Sequence, residues 1–120
     1  MSIIKYDLNL TIVIVNYRSW DSLSLCLNSI NKKCNKVIVV DNYSNDDQLE
    51  AYKKKYSWVN WIENSKNFGF SKACNIGAQK VKTKWLLFLN RDTIIPEKSL
   101  NDLIPFCDKK LTQKLRQNLM

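Results

Sequence analysis

Asn90, Arg91, Asp92 and Thr93 set an amide, a guanidinium, a carboxylate and a hydroxyl directly after the apolar run Trp85 to Leu89. A carboxylate delivered there could hold Mg²⁺ or Mn²⁺, hard cations that take oxygen ligands and bridge to phosphates. The same residues could equally form an Asx-turn or cap a helix opening at Pro96. Asp41 poses a similar choice at the end of the run "KVIVV". It could accept hydrogen bonds from a ribose or a base, or simply close the turn "DNYSND". Spacing alone separates neither pair of readings. In "NFGFSKACNIG", Gly69 stands ahead of a helix, so the backbone could approach a ligand closely. That loop is neither GxGxxG nor a P-loop. Arg18, Lys66, Lys72 and Arg91 could steer a diphosphate or serve as solvated charges, and Trp58, Trp61 and Trp85 read as core.

The elements that must position these residues follow from periodicity. Leu10 to Val15 is a short β-branched run and predicts a buried strand, ended by Asn16 and Tyr17. Ser19 can cap a helix whose inner face is Leu23, Cys26, Leu27 and Ile30. Lys36 to Val40 predicts a second buried strand. Ser44 is a candidate cap for a second helix with Leu49, Tyr52 and Tyr56 facing inward. Residues 58–63, "WVNWIE", suit a strand nearer an edge. Ser71 can cap a third helix running to about Val81. Trp85 to Leu89 predicts a fourth strand, buried on both faces. Pro96 suits the first turn of a helix carrying Leu100, Leu103 and Ile104, which Pro105 should end or kink.

Strands alternating with helices predict an α/β fold, a parallel sheet with right-handed crossovers. The expected strand order is 3-2-1-4, and ligands in such sheets bind beyond the carboxyl ends of the strands. Asn16, Asp41, Asn90 and Asp92 all fall at that edge.

The 120 residues suit one domain, with 45% hydrophobic and 25% charged residues. The net charge of +8 favours anionic partners, although Lys32-Lys33, Lys53 to Lys55 and Lys109-Lys110 fall where helix ends would hold them. There is no His and no CxxC pair among Cys26, Cys34, Cys74 and Cys107, which argues against a zinc site and imidazole chemistry. The cysteines read as reduced thiols in a cytoplasmic protein. Met1 to Asn9 does not resemble a signal peptide, and no apolar stretch is long enough for a transmembrane segment. No RNA-reading motif is present, so no nucleic-acid partner is expected.

Four motifs, "TIVIVNYRSWDSLSLCLNSI", "KVIVVDNYSND", "NFGFSKACNIGA" and "WLLFLNRDT", stand in the order and spacing of glycosyltransferase family 2. The chain resembles its rhamnosyltransferase-like members over roughly residues 10–104, leaving 105–120 as a tail. The resemblance implies a GT-A, Rossmann-like fold: a three-layer sandwich of the nucleotide-diphospho-sugar transferase type. It implies a UDP- or dTDP-sugar donor, a saccharide acceptor, and Mg²⁺ or Mn²⁺. By the same resemblance Asn16 and Tyr17 would line the base pocket and Asp41 would bind the base. Asn42 and Ser44 would shape the loop beneath, while Asn67, Gly69 and Asn75 would face the donor. Asp92 would bind the metal, with Asn90 nearby at the first position of the family's DXD motif.

The resemblance covers only the amino-terminal, donor-binding half. The segment "CDKKLTQKLRQNLM" carries Leu111, Leu115 and Leu119 but no candidate general base, so the catalytic base is unassigned. The expectation is a truncated fold, cytoplasmic or peripheral at the inner face of a membrane, that joins a partner chain or a second copy. The rival reading is a non-catalytic nucleotide-binding fragment or one half of a split enzyme.

Overall fold

The computed structural model describes residues 9–32 and 36–96. Four strands form one parallel sheet: β1 (Leu10–Asn16), β2 (Lys36–Asp41), β3 (Asn60–Glu63) and β4 (Trp85–Phe88), in the order β3-β2-β1-β4. The expected order is therefore the observed one. Helices α1 (Trp20–Ser29) and α2 (Gln48–Lys55) cover one face, and α3 (Phe70–Ala78) covers the other. Those three layers bury β1 along its whole length and β2 everywhere except Lys36.

Strand alternation sends Ile12, Ile14, Val37 and Val39 toward α1, whose Leu23, Cys26, Leu27 and Ile30 meet them. Val13, Val15, Ile38 and Val40 face α3 instead. Contact there is close because Gly77 has no side chain. A Cβ at Gly77 would lie 2.5 Å from Val13 Cγ1 and 3.0 Å from Val40 Cγ2. The α2 face is aromatic, with Tyr52 between the tilted rings of Trp20 (4.8 Å) and Tyr56 (5.9 Å). Trp58, Trp61 and Trp85 pack against the same core, as their positions in the sequence suggest.

Several local expectations need correction. β4 is not buried on both faces. Among the described strands it lies at the sheet edge, with Leu86 37% and Phe88 47% exposed. The register pairs them with Thr11 and Val13 on the α3 side, but α3 lies over β1 and β2. Ser44 does not cap α2, because its hydroxyl is taken by Asp41, and Asp46 Oδ1 receives the Gln48 N–H instead (3.1 Å). Ser19 holds the N-cap position of α1, yet its hydroxyl donates to the Tyr17 carbonyl. α3 begins ahead of Ser71, with Gly69 as its N-cap, and ends at Ala78 rather than near Val81.

Lys53, Lys54 and Lys55 do occupy the last turn of α2, as the helix dipole favours. Cys26 and Cys74 are free thiols. The expected helix at Leu100 to Ile104, the Leu111 to Leu119 stripe, Cys34 and Cys107 lie outside the described residues. Among the described residues no helix is long and apolar enough to cross a membrane.

Candidate functional site at the carboxyl edge of the sheet

Parallel pairing sets Asn16 opposite Asp41 at the carboxyl ends of β1 and β2. Both are buried, at 0% and 2% exposure, so their polar groups must find partners inside the protein. Asp41 Oδ1 accepts from Asn16 Nδ2 (3.1 Å) and from the Ser44 hydroxyl (2.6 Å). Its Oδ2 accepts the Ser44 N–H (3.0 Å), closing an Asx-type turn. One carboxylate thus ties two strands and a loop together, and Oδ2 takes a single donor among the described residues. Asp41 is therefore a turn former, the role these bonds show directly.

A second tie joins the β1–α1 and β2–α2 loops. The Arg18 N–H donates to Ser44 Oγ (2.9 Å), and Arg18 Nε donates to the Ser44 carbonyl (2.8 Å). The guanidinium lies 5.2 Å from the centre of the exposed Tyr17 ring. Trp20 Nε1 donates to Asp46 Oδ2 (2.9 Å), clamping the same two loops further out. Arg18, Tyr43 and Asn45 all hold positive φ (52°, 68° and 51°), a conformation costly for residues with side chains. Such a conformation persists only where surrounding bonds enforce it, as the Arg18–Ser44 pair does here.

Asn42 organises the third loop. Its Nδ2 donates to Asn67 Oδ1 (2.8 Å), and its Oδ1 accepts from Asn64 Nδ2 (3.0 Å) and the Phe68 N–H (3.1 Å). Asn67 Oδ1 also accepts the Gly69 N–H (2.9 Å). Gly69 sits at φ 84° and ψ 165°, a region open essentially to glycine alone, which turns the loop into α3. Lys72 Nζ and Lys66 Nζ flank the Phe68 ring at 4.4 Å and 5.3 Å.

Beyond β4, the Thr93 N–H bonds to the Asn90 carbonyl (2.9 Å), and Asn90 Oδ1 accepts the Asp92 N–H (3.3 Å). Asn90 is therefore the turn former. Asp92 is exposed, and its carboxylate accepts no hydrogen bond from the described residues. Arg91 Nε is buried without a partner among them. The turn rests on α1, where the Ile95 N–H donates to Ser29 Oγ (2.9 Å). Cys26 lies beneath, and its thiol is pushed up to about 11 by burial and then by the Asp92 charge. No cluster of three metal-ligating side chains exists among the described residues. A lone free carboxylate does fit a Mg²⁺ or Mn²⁺ ion whose remaining ligands are phosphate oxygens and water.

The structure thus joins Asn16, Asp41, Asn42, Ser44, Asn67 and Gly69 into one hydrogen-bonded edge, with Tyr17 exposed beside it. Asn75 is exposed within α3, and its side chain makes no bond to that network. Asp92 stands across β1. The boundary between β1 and β4 is the point where the strand order reverses, since α1 and α2 cross on one face and α3 on the other. Asn64 and Asp46 belong to the same framework although sequence reasoning gave them no such part, and Arg18, a candidate for steering a diphosphate, instead ties two loops together. The signal for Asn64 was the Asn-rich run "NSKN"; nothing in the local sequence distinguished Asp46.

The sequence profile of the family described as glycosyl transferase family 2 matches residues 11–113. The poly(ribitol-phosphate) beta-glucosyltransferase of Bacillus spizizenii is 36% identical over 102 residues, covering 78% of this chain and 16% of that protein. A structure of S. aureus TarS in complex with UDP-GlcNAc aligns with a TM-score of 0.71 and 25% identity, over 83% of this chain and 31% of that one. GalNAc-T7, solved with UDP, GalNAc and Mn²⁺, aligns with a TM-score of 0.57 and 26% identity, over 68% of this chain and 18% of that one. The chain therefore spans less than a third of the length of each of these relatives. Its profile match runs through all four strands and their carboxyl-edge loops, and on that ground the chain belongs to glycosyl transferase family 2 and has its GT-A fold.

Proposed function

We propose that the carboxyl edge of this sheet binds a nucleotide-diphospho-sugar donor, and that the chain is the donor-binding domain of a glycosyltransferase. The observation that carries this reading is the Asn16–Asp41–Ser44–Arg18 network, which fixes two loops around a buried carboxylate beside an exposed Tyr17 ring. The base would lie against Tyr17, with Asp41 Oδ2 accepting from a base N–H. Asn16, Asn42 and Ser44 would act mainly as framework, since their side chains are engaged by Asp41, Asn64 and Asn67. Asn67, Gly69 and Asn75 are exposed and would face the ribose and diphosphate. UDP-GlcNAc in TarS and UDP with Mn²⁺ in GalNAc-T7 support a uridine nucleotide as donor. A dTDP-sugar is the donor that the rhamnosyltransferase-like reading requires.

Asp92, with Asn90 beside it, would hold Mg²⁺ or Mn²⁺ together with the diphosphate oxygens. When bound, that ion supplies positive charge to the departing diphosphate. The residues themselves would bind and orient: Arg18 and Ser44 would fix the base end, and the turn at 90–93 would present Asp92 on the far side of β1. The reaction would be inverting transfer to an acceptor hydroxyl, saccharide or polyol phosphate in class, with a general base outside the described residues. Residues 1–120 would act as one domain, cytoplasmic or peripheral to a membrane, in contact with a partner chain or a second copy.

Calorimetric titration with UDP, dTDP, GDP and ADP, each with and without Mn²⁺, tests the reading. It predicts selective binding of UDP or dTDP that tightens with Mn²⁺. Equal affinity for all four, or none, overturns it.

A further inference from the structure

The opposite, amino-terminal edge of the sheet carries a second feature. A cleft of about 350 Å³ opens there, lined by Lys36, Lys80, Lys82, Trp58, Asn60 and Thr83. Lys36 begins β2, Trp58 and Asn60 introduce β3, and Lys80 and Lys82 follow α3. Only the tertiary structure brings them together. Among the described residues no acidic side chain lines the cleft, and the ion pairs involve Lys53 alone. The α3 dipole accounts for a cation at Lys80, directly beyond the helix, but not for Lys36 at the start of a strand. Three like charges converging on one concavity repel each other and raise the local positive potential. That arrangement contributes nothing to folding that scattered lysines would not.

We propose that this cleft is an anion site for a phosphodiester group, separate from the donor edge. The ammonium groups act as point-charge partners for phosphate oxygens. The Asn60 amide adds a donor, and the Trp58 ring offers an apolar wall for the ester carbons. The floor is built, not incidental: Thr11 Oγ1 and Thr83 Oγ1 are hydrogen-bonded at 2.7 Å, and Thr83 Oγ1 also donates to the Trp85 carbonyl (2.9 Å).

The test is lysine-acetylation footprinting of the full chain by mass spectrometry, with two sources of the diester. One arm uses soluble glycerophosphoglycerol; the other compares phosphatidylglycerol with phosphatidylcholine vesicles. Lys36, Lys80 and Lys82 should be protected, while Lys32, Lys54 and Lys55 should not. Protection by vesicles alone assigns the diester to a lipid headgroup, and protection in both arms assigns it to the free ester as well. The variant K36Q/K80Q/K82Q should lower affinity on the order of tenfold, with an unchanged thermal melt and unchanged nucleotide titration. The variant K32Q/K54Q/K55Q removes the same charge elsewhere and should have little effect. No protection in either arm, or equal weakening by the two variants, overturns the site without touching the donor reading.

Discussion

The Asn16 amide donates to Asp41 Oδ1 across 3.1 Å, between two buried residues that the β1–β2 register sets side by side. Removing the acceptor strands the Asn16 amide, the Ser44 hydroxyl and the Ser44 N–H together. A buried group left unpaired costs about 1–3 kcal/mol, so Asp41→Ala should destabilise the fold by about 3 kcal/mol or more. Asp41→Asn keeps one acceptor oxygen and should cost less. Urea unfolding measures both, and equal losses would show that the carboxylate is not the hub.

Asn42 holds the loop from Asn64 to Gly69 by hydrogen bonds from both ends of its amide. Asn42→Ala should therefore speed amide hydrogen exchange at Phe68 and Gly69 more than in β1 or β2. Unchanged exchange in that loop would mean that the backbone alone maintains it.

Two glycines should fail for opposite reasons. At Gly77 a Cβ meets Val13 and Val40, so Gly77→Ala overpacks the core at a cost of about 1–3 kcal/mol. Shortening Val13 to Ala in the same chain should recover part of that loss. At Gly69 nothing lies within 4 Å of an added Cβ, but φ is 84°. Gly69→Ala should cost about 1–3 kcal/mol through backbone strain, and no neighbouring substitution should rescue it. Thermal melts of the single and double variants distinguish the two mechanisms.

Asp92 is exposed and takes no donor from the described residues, so Asp92→Ala and Asp92→Asn should leave the fold within about 0.5 kcal/mol of the parent. Under the proposed function both should weaken Mn²⁺-assisted binding of the nucleoside diphosphate and spare the nucleoside. Equal loss for the two ligands would remove Asp92 from the metal role.

The Cys26 thiol, raised to about 11 by burial and then by the Asp92 charge, should be slow to alkylate at pH 8. The folded state holds this proton to higher pH than the unfolded chain does. Its stabilising contribution is therefore complete below the ordinary thiol range and is lost as pH rises through about 11. Peptide mapping after iodoacetamide treatment should show Cys74, which is less buried, modified before Cys26.

The strands, their order of appearance and the carboxyl-edge placement of Asn16, Asp41 and Asn90 were legible in the sequence. Short β-branched runs alternating with amphipathic segments leave few topologies once crossovers are right-handed. The helix caps were less legible. Ser44 has the chemistry of a cap, but the Asp41 carboxylate competes for its hydroxyl, and that neighbour matters only after the chain turns at Tyr43 and Asn45. Leu86 and Phe88 read as core because composition reports how apolar a strand is, not whether a helix lies above it. Position in the sheet decided that, by setting β4 outermost among the described strands, beyond the reach of α3. The Arg18–Ser44 clamp and the lysine cleft were invisible for one reason. Each joins residues far apart in sequence, through contacts that only parallel pairing and the helix crossovers create.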